Sequence, residues 1–249
     1  MQNIHYETEE IAKFFSSNRV KWDDFYPSEK ELFLRVGISE RDSVLDVGCG
    51  CGGLGNALKE KFGVTDYTGV EINLPACNLG KIVNPKGKFI HGDICELTEH
   101  PDLRREFDKI FSLSCFDWNS DFDSMFSASW DKLKPGGTLF LTLRLVKNET
   151  TRNIETSFQY INYSNEMKGE VAPYVVFNAS EIISKFINLN PSKIWGVGYF
   201  GSPSPTAVTP HNVICFSAMA LNKKLTEDDA KVILELDFPE EILKTIKNS

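Results

Sequence analysis

The chain has 249 residues, and 27 Lys and Arg against 35 Asp and Glu residues give it a formal net charge of −8. A hydrophobic share of 41% and a charged share of 25% are ordinary for a globular protein. Composition therefore excludes a disordered chain, a fibrous repeat and a disulfide-rich miniprotein. The acidic balance argues against nucleic acid as a partner, because nucleic-acid binders gain affinity from Lys and Arg on phosphates.

The sequence also bears on membranes, metals and compartment. It contains no apolar run near the roughly 20 residues that span a bilayer, and its first residues are too polar and acidic for a secretory signal. The six cysteines form no repeated C-x-x-C pairs, so neither a zinc module nor a disulfide framework is expected. We expect a cytoplasmic protein with reduced thiols, no metal and no membrane contact. The oligomeric state stays open, a dimer included.

Hydrophobic patterning divides the first 146 residues into a cap and a strand–helix series. Residues 1–40 carry aromatic and aliphatic side chains at helical spacing, which predicts a helical N-terminal cap. Strands are then predicted at residues 43–47, 67–72, 88–91, 107–115 and 138–146, with helices between them. This alternation is typical of a parallel sheet with helices on both faces, and we place the main domain at residues 41–224.

The second half of the chain departs from this rhythm. Residues 147–177 are polar and aromatic without a clear period, which predicts an insertion after the fifth strand. A capping box predicts a helix over residues 179–188, and two further strands are predicted at 194–200 and 213–221. The tail, residues 225–249, is predicted to be a surface helix.

The most informative stretch is glycine-rich and follows the first strand: Val44-Leu-Asp-Val-Gly-Cys-Gly-Cys-Gly-Gly-Leu-Gly. It fits two patterns. The dinucleotide fingerprint G-x-G-x-x-G begins at Gly50 and has Glu71 about 20 residues further on as a ribose acceptor. The pattern D-x-G-x-G-x-G begins instead at Asp46, inside the strand end.

Position and charge favour the second pattern. The dinucleotide fingerprint places its first glycine directly after the strand, whereas Gly50 follows a strand end that already holds Asp46 and Gly48. A carboxylate at Asp46 would repel a pyrophosphate at the helix N-terminus. It suits a ligand that carries an ammonium and a sulfonium group.

With this pattern the sequence resembles the class I S-adenosylmethionine-dependent methyltransferases. The resemblance covers roughly residues 40–146 and, less distinctly, 190–221. The motifs that carry it are Leu45-Asp-Val-Gly-Cys-Gly-Cys-Gly, Gly69-Val-Glu-Ile, His91-Gly-Asp-Ile, Phe107-Asp-Lys-Ile-Phe-Ser and Leu133-Lys-Pro-Gly-Gly-Thr-Leu. It implies a Rossmann-like α/β fold, with a seven-stranded, mostly parallel sheet, helices on both faces and an antiparallel last strand.

The same resemblance implies S-adenosylmethionine as cofactor and S-adenosylhomocysteine as product. Gly48, Gly50 and Gly52 would let the backbone approach the methionine part, where a Cβ would clash. Asp46 would help to orient the ammonium group. Glu71, at the carboxyl end of the second strand, would accept hydrogen bonds from both ribose hydroxyls.

Further contacts follow from the later motifs. The resemblance implies that Ile72 packs on the adenine face and that Ile94 seals the ring. Asp93 would accept a hydrogen bond from the adenine amino group. Ser114 and Cys115, which end the fourth strand, would lie beside the methyl-bearing sulfur.

The methyl acceptor is the least constrained part of the prediction. Amine-directed relatives often carry Asn/Asp-Pro-Pro-Tyr/Phe after the fourth strand, where this chain reads Ser114-Cys-Phe-Asp-Trp. We therefore predict O-methylation of a small-molecule or carbohydrate-like acceptor, with Asp117 and Trp118 lining its pocket and His211 as a candidate general base. An N- or RNA-directed methyltransferase and a non-catalytic binding subunit are the alternatives.

Overall fold

A computed structural model describes residues 7–97, 99–162, 164–226 and 230–247. The strands in these residues are β1 Ser43–Val47, β2 Asp66–Glu71, β3 Lys88–His91, β4 Phe107–Ser112, β5 Leu133–Val146, β6 Phe158–Tyr160, β7 Val171–Pro173, β8 Phe177–Asn178, β9 Lys193–Gly201, β10 Ala207–Val208, β11 Ile214–Asn222 and β12 Ile233–Asp237. The α-helices are α1 Glu10–Phe15, α2 Pro27–Val36, α3 Gly53–Phe62, α4 Leu74–Val83, α5 Phe122–Asp131, α6 Ala179–Asn188 and α7 Glu240–Lys247.

The main sheet has the order β12-β9-β11-β5-β4-β1-β2-β3, and β8 pairs beside β5. Strands β1 to β5 run parallel, and β11 lies antiparallel between β5 and β9. The predicted seven-stranded, mostly parallel sheet with an antiparallel last strand is confirmed in its core. Two strands extend it: β12 is parallel to β9, and β8 is parallel to β5.

Helices cover both faces of this sheet, as the alternation of side chains along the strands requires. Leu45 and Ile110 belong to one buried cluster, whereas their chain neighbours Val44 and Phe111 belong to another. Helices α5 and α6 pack in the first cluster, and α2 and α3 pack in the second. The sheet is therefore the shared wall of two apolar layers.

The N-terminal segment contains helices as predicted. Helix α2 begins at Pro27, and Glu29 caps it by accepting a hydrogen bond from the Tyr26 N–H at 3.0 Å. Helix α1 lies near the glycine-rich turn, because the Cys51 thiol is 3.6 Å from the Ala12 carbonyl oxygen. The cap thus covers the carboxyl end of β1, where the sequence places the cofactor.

The structure corrects the prediction for the tail. Residues 225–249 were expected to form one surface helix, but Ile233–Asp237 form β12 and only Glu240–Lys247 form α7. β12 alternates apolar and charged residues, a period of two that favours a strand once a sheet edge is available. Strand β9 supplies that edge, and Lys193 pairs with Glu235 across it.

The predicted insertion region folds beside the sheet. Strands β6 and β7 form a small three-stranded sheet with β10, in the order β10-β6-β7. Its partner β10 comes from the proline-rich loop before β11, more than 30 residues away in sequence. None of the helices in the described part of the chain is long and apolar enough to cross a membrane.

Candidate active site

A cleft of about 1270 Å³ opens at the carboxyl ends of the parallel strands. The turn after β1, the ends of β2 and β4, the cap and the small sheet all contribute lining residues. This is where open α/β sheets bind ligands, because loops diverge there and leave a crevice. Two halves can be distinguished: one around the glycine-rich turn and one around Arg144.

Gly48 and Gly50 of the glycine-rich turn line the cleft, whereas Gly52 is absent from the lining and a Cβ there would lie 2.4 Å from the Phe89 ring. Gly48, Gly50 and Gly52 have φ values of 74°, 54° and 72°, which L side chains rarely adopt. A Cβ at Gly48 would lie 2.3 Å from the Cys115 Sγ. The N–H of Gly48 donates to the Val70 carbonyl oxygen at 2.9 Å, which fixes the turn to β2.

Glu71 lies at the end of β2 and is held by the backbone on both carboxylate oxygens. Its Oε2 accepts a hydrogen bond from the Gly50 N–H at 2.7 Å, and its Oε1 accepts one from the Asn73 N–H at 2.8 Å. The residue is 6% exposed. Burial raises the pKa of Glu71, and these backbone donors oppose the shift. The carboxylate is therefore oriented before any ligand arrives.

Asp46 lies behind the turn rather than in the main cleft. Its Oδ2 accepts a hydrogen bond from the Tyr67 hydroxyl at 2.6 Å. Burial raises the pKa of Asp46 to about 7, and the bond from Tyr67 opposes that rise. Asp46 faces a small adjoining pocket together with Arg19, Gly48 and Gly50.

The raised pKa of Asp46 predicts a pH dependence of stability. The native state holds the Asp46 proton more tightly than the unfolded chain, so the free energy of unfolding falls as pH rises from about 4 to about 7. Between pH 5 and pH 8 we expect the free energy of unfolding to fall by about 3 kcal/mol less in Asp46→Asn than in the wild type. Urea unfolding at both pH values measures it.

A control variant separates Asp46 from the other carboxylates. Asp66 forms an ion pair with Arg105 at the surface, and that bond lowers the pKa of Asp66. Asp66 has therefore lost its proton well below pH 5. Asp66→Asn should show the same change in the free energy of unfolding between pH 5 and pH 8 as the wild type. If the free energy of unfolding of Asp46→Asn changes with pH as much as that of the wild type, the prediction is contradicted.

The residues predicted to contact adenine lie together on the cleft wall beyond Glu71. Ile72, Asp93 and Ile94 all line the cleft. Asp93 and Ile94 are buried, and Asp93 accepts a hydrogen bond from the Cys95 N–H at 2.9 Å. The wall therefore offers apolar surface next to a fixed carboxylate.

Strand β4 ends earlier than the sequence predicts, at Ser112 instead of residue 115. The chain turns because Ser114 adopts a φ of 53°, and its N–H donates to the Thr142 Oγ1 at 2.6 Å. Ser114 is exposed in the cleft, and Cys115 packs against Gly48. The end of β4 is thus brought next to the glycine-rich turn.

The other half of the cleft is built around Arg144, which is 4% exposed. Its Nε lies 3.2 Å from the Asp117 Oδ2, and its Nη1 donates to the Asp117 carbonyl oxygen at 3.0 Å. The guanidinium carbon lies 3.6 Å from the Tyr174 ring centroid and 4.7 Å from that of Trp118. Asp117 and Trp118, both predicted to line an acceptor pocket, therefore share one buried cluster in the cleft wall.

One oxygen of the Asp117 carboxylate, Oδ2, is paired with Arg144, and the other is not hydrogen-bonded within the described part of the chain. Its Oδ1 is buried and has no hydrogen-bond partner among the described residues. Burial raises the pKa of Asp117, and the charge of Arg144 opposes the shift. The cleft wall therefore holds a buried acceptor atom that none of the described residues is recorded as bonding, and a hydroxyl donor in the cleft would satisfy it.

The small sheet adds a neutral polar wall. The Gln159 Nε2 donates to the Ser204 Oγ at 3.0 Å and to the Thr206 Oγ1 at 3.1 Å, and all three residues line the cleft. Tyr160 lies beside them. This wall carries hydroxyl and amide groups, with no cation among these four residues.

The structure does not place His211 in the cleft. Its Nε2 lies 2.9 Å from the Thr151 Oγ1, and the residue is absent from the cleft lining. Partial burial lowers the pKa of His211. The predicted role as a general base is therefore withdrawn, because the proline-rich loop pairs with β6 and turns the imidazole elsewhere.

Sequence reasoning missed several cleft residues, among them Arg144, Thr142 and Arg19. A signal existed for Arg144, because it is the one charged side chain in the apolar run Leu139-Phe-Leu-Thr-Leu-Arg-Leu-Val, and a charge in a buried strand needs a partner. Thr142 lies two residues earlier, so both point to the same face of β5. Arg19, in the cap, carried no such signal.

Comparisons with known proteins identify the class of domain to which the glycine-rich segment is similar. Residues 44–137 match the family described as a methyltransferase domain. The chain is 27% identical over 158 residues to malonyl-[acyl-carrier protein] O-methyltransferase of Calditerrivibrio nitroreducens, covering 62% of this chain and 60% of that protein. It is 24% identical over 178 residues to trans-aconitate 2-methyltransferase of Rhizobium rhizogenes, covering 68% and 66%. The chain thus spans less than two thirds of either relative.

A solved structure shows the same fold. Phosphoethanolamine N-methyltransferase 2 of Haemonchus contortus, in complex with S-adenosyl-L-methionine, superposes with a TM-score of 0.53 at 16% identity, covering 78% of this chain and 51% of that one. The matched methyltransferase domain, the methyltransferase relatives and the shared fold together support a class I S-adenosylmethionine-dependent methyltransferase. The predicted resemblance and fold class are confirmed.

Proposed function

We propose that the chain transfers a methyl group from S-adenosylmethionine to an oxygen of a small-molecule acceptor. The observation that carries the cofactor is the bare glycine-rich turn beside the prepositioned Glu71 carboxylate. When bound, S-adenosylmethionine would supply an electrophilic methyl carbon: an electron pair of the acceptor oxygen would form the C–O bond, the C–S bonding pair would stay on sulfur as a thioether, and the acceptor hydroxyl would give up its proton.

On the cofactor side, Glu71 would accept hydrogen bonds from the ribose hydroxyls, and Asp93 one from the adenine amino group. Ile72 and Ile94 would enclose the adenine ring. Ser114 would lie near the sulfur. Carboxylates near the turn favour a cationic donor over a pyrophosphate, and relatives named as methyltransferases support the same assignment.

On the acceptor side, the cleft favours a neutral hydroxyl group over a carboxylate. The Asp117 carboxylate compensates the charge of Arg144, and an aromatic ring covers the guanidinium. Arg144 would therefore attract an anionic acceptor only weakly. The unpartnered Asp117 Oδ1 can accept the hydrogen bond of a hydroxyl group and then its proton, the role that His211 cannot fill from its position. Trp118 and the neutral wall would contact the rest of the acceptor.

Calorimetry with S-adenosylhomocysteine and with NAD⁺ tests the cofactor. We expect micromolar binding of S-adenosylhomocysteine and no measurable heat with NAD⁺, because Asp46 and Gly48 occupy the strand end where the dinucleotide fingerprint places its first glycine. Binding of NAD⁺ alone contradicts the proposal. Binding of S-adenosylhomocysteine without binding of NAD⁺ supports the cofactor assignment, and this result does not depend on the identity of the acceptor.

A methyl-transfer panel tests the acceptor class. Methyl glucoside and catechol supply hydroxyl groups, trans-aconitate supplies carboxylates, and phosphoethanolamine supplies an amine. We expect methylation within the hydroxyl set, because the free acceptor atom at Asp117 requires a donor. Turnover confined to trans-aconitate or phosphoethanolamine would show that the hydroxyl assignment is wrong.

A further inference from the structure

A row of three side chains crosses the sheet from the buried ion pair towards the β12 edge. Arg144 of β5 lies opposite Phe216 of β11, and Phe216 lies opposite Tyr199 of β9. Residues that lie opposite each other on neighbouring strands point to the same face of a sheet, and all three line the cleft. The row thus leads from Asp117, which pairs with Arg144, to a part of the cleft that the methyl transfer itself does not use.

The two rings at the far end of this row form an aromatic surface. The Tyr199 and Phe216 ring centroids lie 6.1 Å apart, and the ring planes differ by 32°. Tyr199 is 43% exposed, so much of its ring is open to a ligand. Phe216 is half-buried and packs against Tyr174 and Ile214, which hold it in place. Open ring faces in a ligand cleft favour contact with an apolar ligand surface.

The neutral polar wall adjoins this aromatic surface. Strand β9 ends at Gly201, two residues after Tyr199, and the loop that follows carries Ser204 and Thr206. The Gln159 Nε2 is used for its bonds to these two hydroxyl groups, so its Oε1 is the amide atom that can accept a hydrogen bond from a ligand. An aromatic surface therefore lies beside a fixed hydrogen-bonding wall.

We infer that this part of the cleft binds a second sugar ring of the acceptor, with the C–H face of that ring on Tyr199 and Phe216 and its hydroxyl groups towards Gln159. The inference rests on the proposed function and narrows its acceptor to a glycoside of at least two rings. A pyranose has an apolar C–H face and a rim of hydroxyl groups, which matches both surfaces. A purely apolar ring would cover the aromatic surface but leave the polar wall without partners, which costs affinity.

The dimensions of the cleft explain why two rings are needed. Strands β5 and β9 are two strand spacings apart, which is roughly 10 Å. A single pyranose is shorter than this distance, so it cannot contact both Asp117 and Tyr199, whereas two linked rings can. The cleft volume of about 1270 Å³ also exceeds the roughly 300–1000 Å³ typical of a pocket for one small ligand, which leaves room beside the cofactor.

Initial rates of methyl transfer to one-ring and two-ring glycosides test the inference. The one-ring probes are the methyl glycosides of glucose, galactose and mannose, and the two-ring probes are methyl cellobioside, methyl lactoside and methyl mannobioside. For the preferred sugar we expect kcat/KM to be at least tenfold higher with two rings than with one, which corresponds to about 1.4 kcal/mol. Tyr199→Ala should bring this ratio near one, whereas Tyr199→Phe, which keeps the ring, should retain it.

Phe200→Ala is the matched control. Phe200 is the next residue of β9 and is 42% exposed, but it is not among the described residues that line the cleft. Its replacement should leave the ratio at the wild-type value. A wild-type ratio near one, or the same loss in Tyr199→Ala and Phe200→Ala, overturns the inference.

The acceptor panel separates this inference from the proposed function. Methylation of catechol without methylation of any glycoside overturns the two-ring inference and leaves the proposed transfer to a hydroxyl group standing. Turnover of neither the glycosides nor catechol overturns both.

Discussion

Glu71→Ala is expected to weaken S-adenosylhomocysteine binding by about a thousandfold. In the proposed site each ribose hydroxyl donates to the Glu71 carboxylate, and hydrogen bonds to a charged group contribute about 1.5–3 kcal/mol each. Two such bonds correspond to roughly 4 kcal/mol, or three decades in the dissociation constant. Calorimetry measures this loss directly, and competition with a tighter ligand extends the range if the heat disappears.

The loss must be separated from damage to the turn. Glu71 also accepts from the Gly50 and Asn73 N–H groups, so its removal frees two backbone donors. Glu71→Gln keeps one acceptor oxygen for them and should bind with an intermediate affinity. Glu106→Ala removes an exposed carboxylate at the start of β4 and should leave the affinity unchanged. A Glu71→Ala affinity within threefold of the wild type would exclude ribose binding at this position.

The strands and helices of the sheet were largely predictable because each is specified by its own residues. The first strand, Ser43–Val47, and the helix Ala179–Asn188 have the predicted bounds. The positions of Glu71 and Asp93 followed as well, since the carboxyl ends of parallel strands share one edge of the sheet. These features depend on local pattern and on a topology that the pattern implies.

The remaining parts depend on contacts between segments far apart in sequence. The strand at Ile233–Asp237 forms because β9 offers an open edge, and the local pattern does not reveal that edge. His211 was expected over the cleft from the length of its loop, but pairing of β10 with β6 directs it to Thr151. Arg19 reaches the glycine-rich turn only through the packing of the cap.

Arg144→Met is expected to lower the free energy of unfolding by about 3–5 kcal/mol. Methionine keeps much of the apolar stem against Tyr174 but leaves the buried Asp117 carboxylate without its cation. Removal of one partner of a buried ion pair costs this much because the other charge stays desolvated. Urea unfolding followed by tryptophan fluorescence measures the change, with the midpoint and the slope fitted together.

Two comparisons show whether the unpaired charge is the cause. Arg105→Met breaks a surface ion pair with Asp66 and should cost about 1 kcal/mol or less. Adding Asp117→Asn to Arg144→Met should recover most of the loss, since no buried charge then remains. Without Arg144 the pKa of Asp117 rises further, so native Asp117 holds its proton above the pH at which the unfolded chain releases it. The single variant should therefore lose more stability at pH 8 than at pH 5. A loss that is independent of pH and not recovered by Asp117→Asn would assign the effect to the stacking of Arg144 on Tyr174 and Trp118.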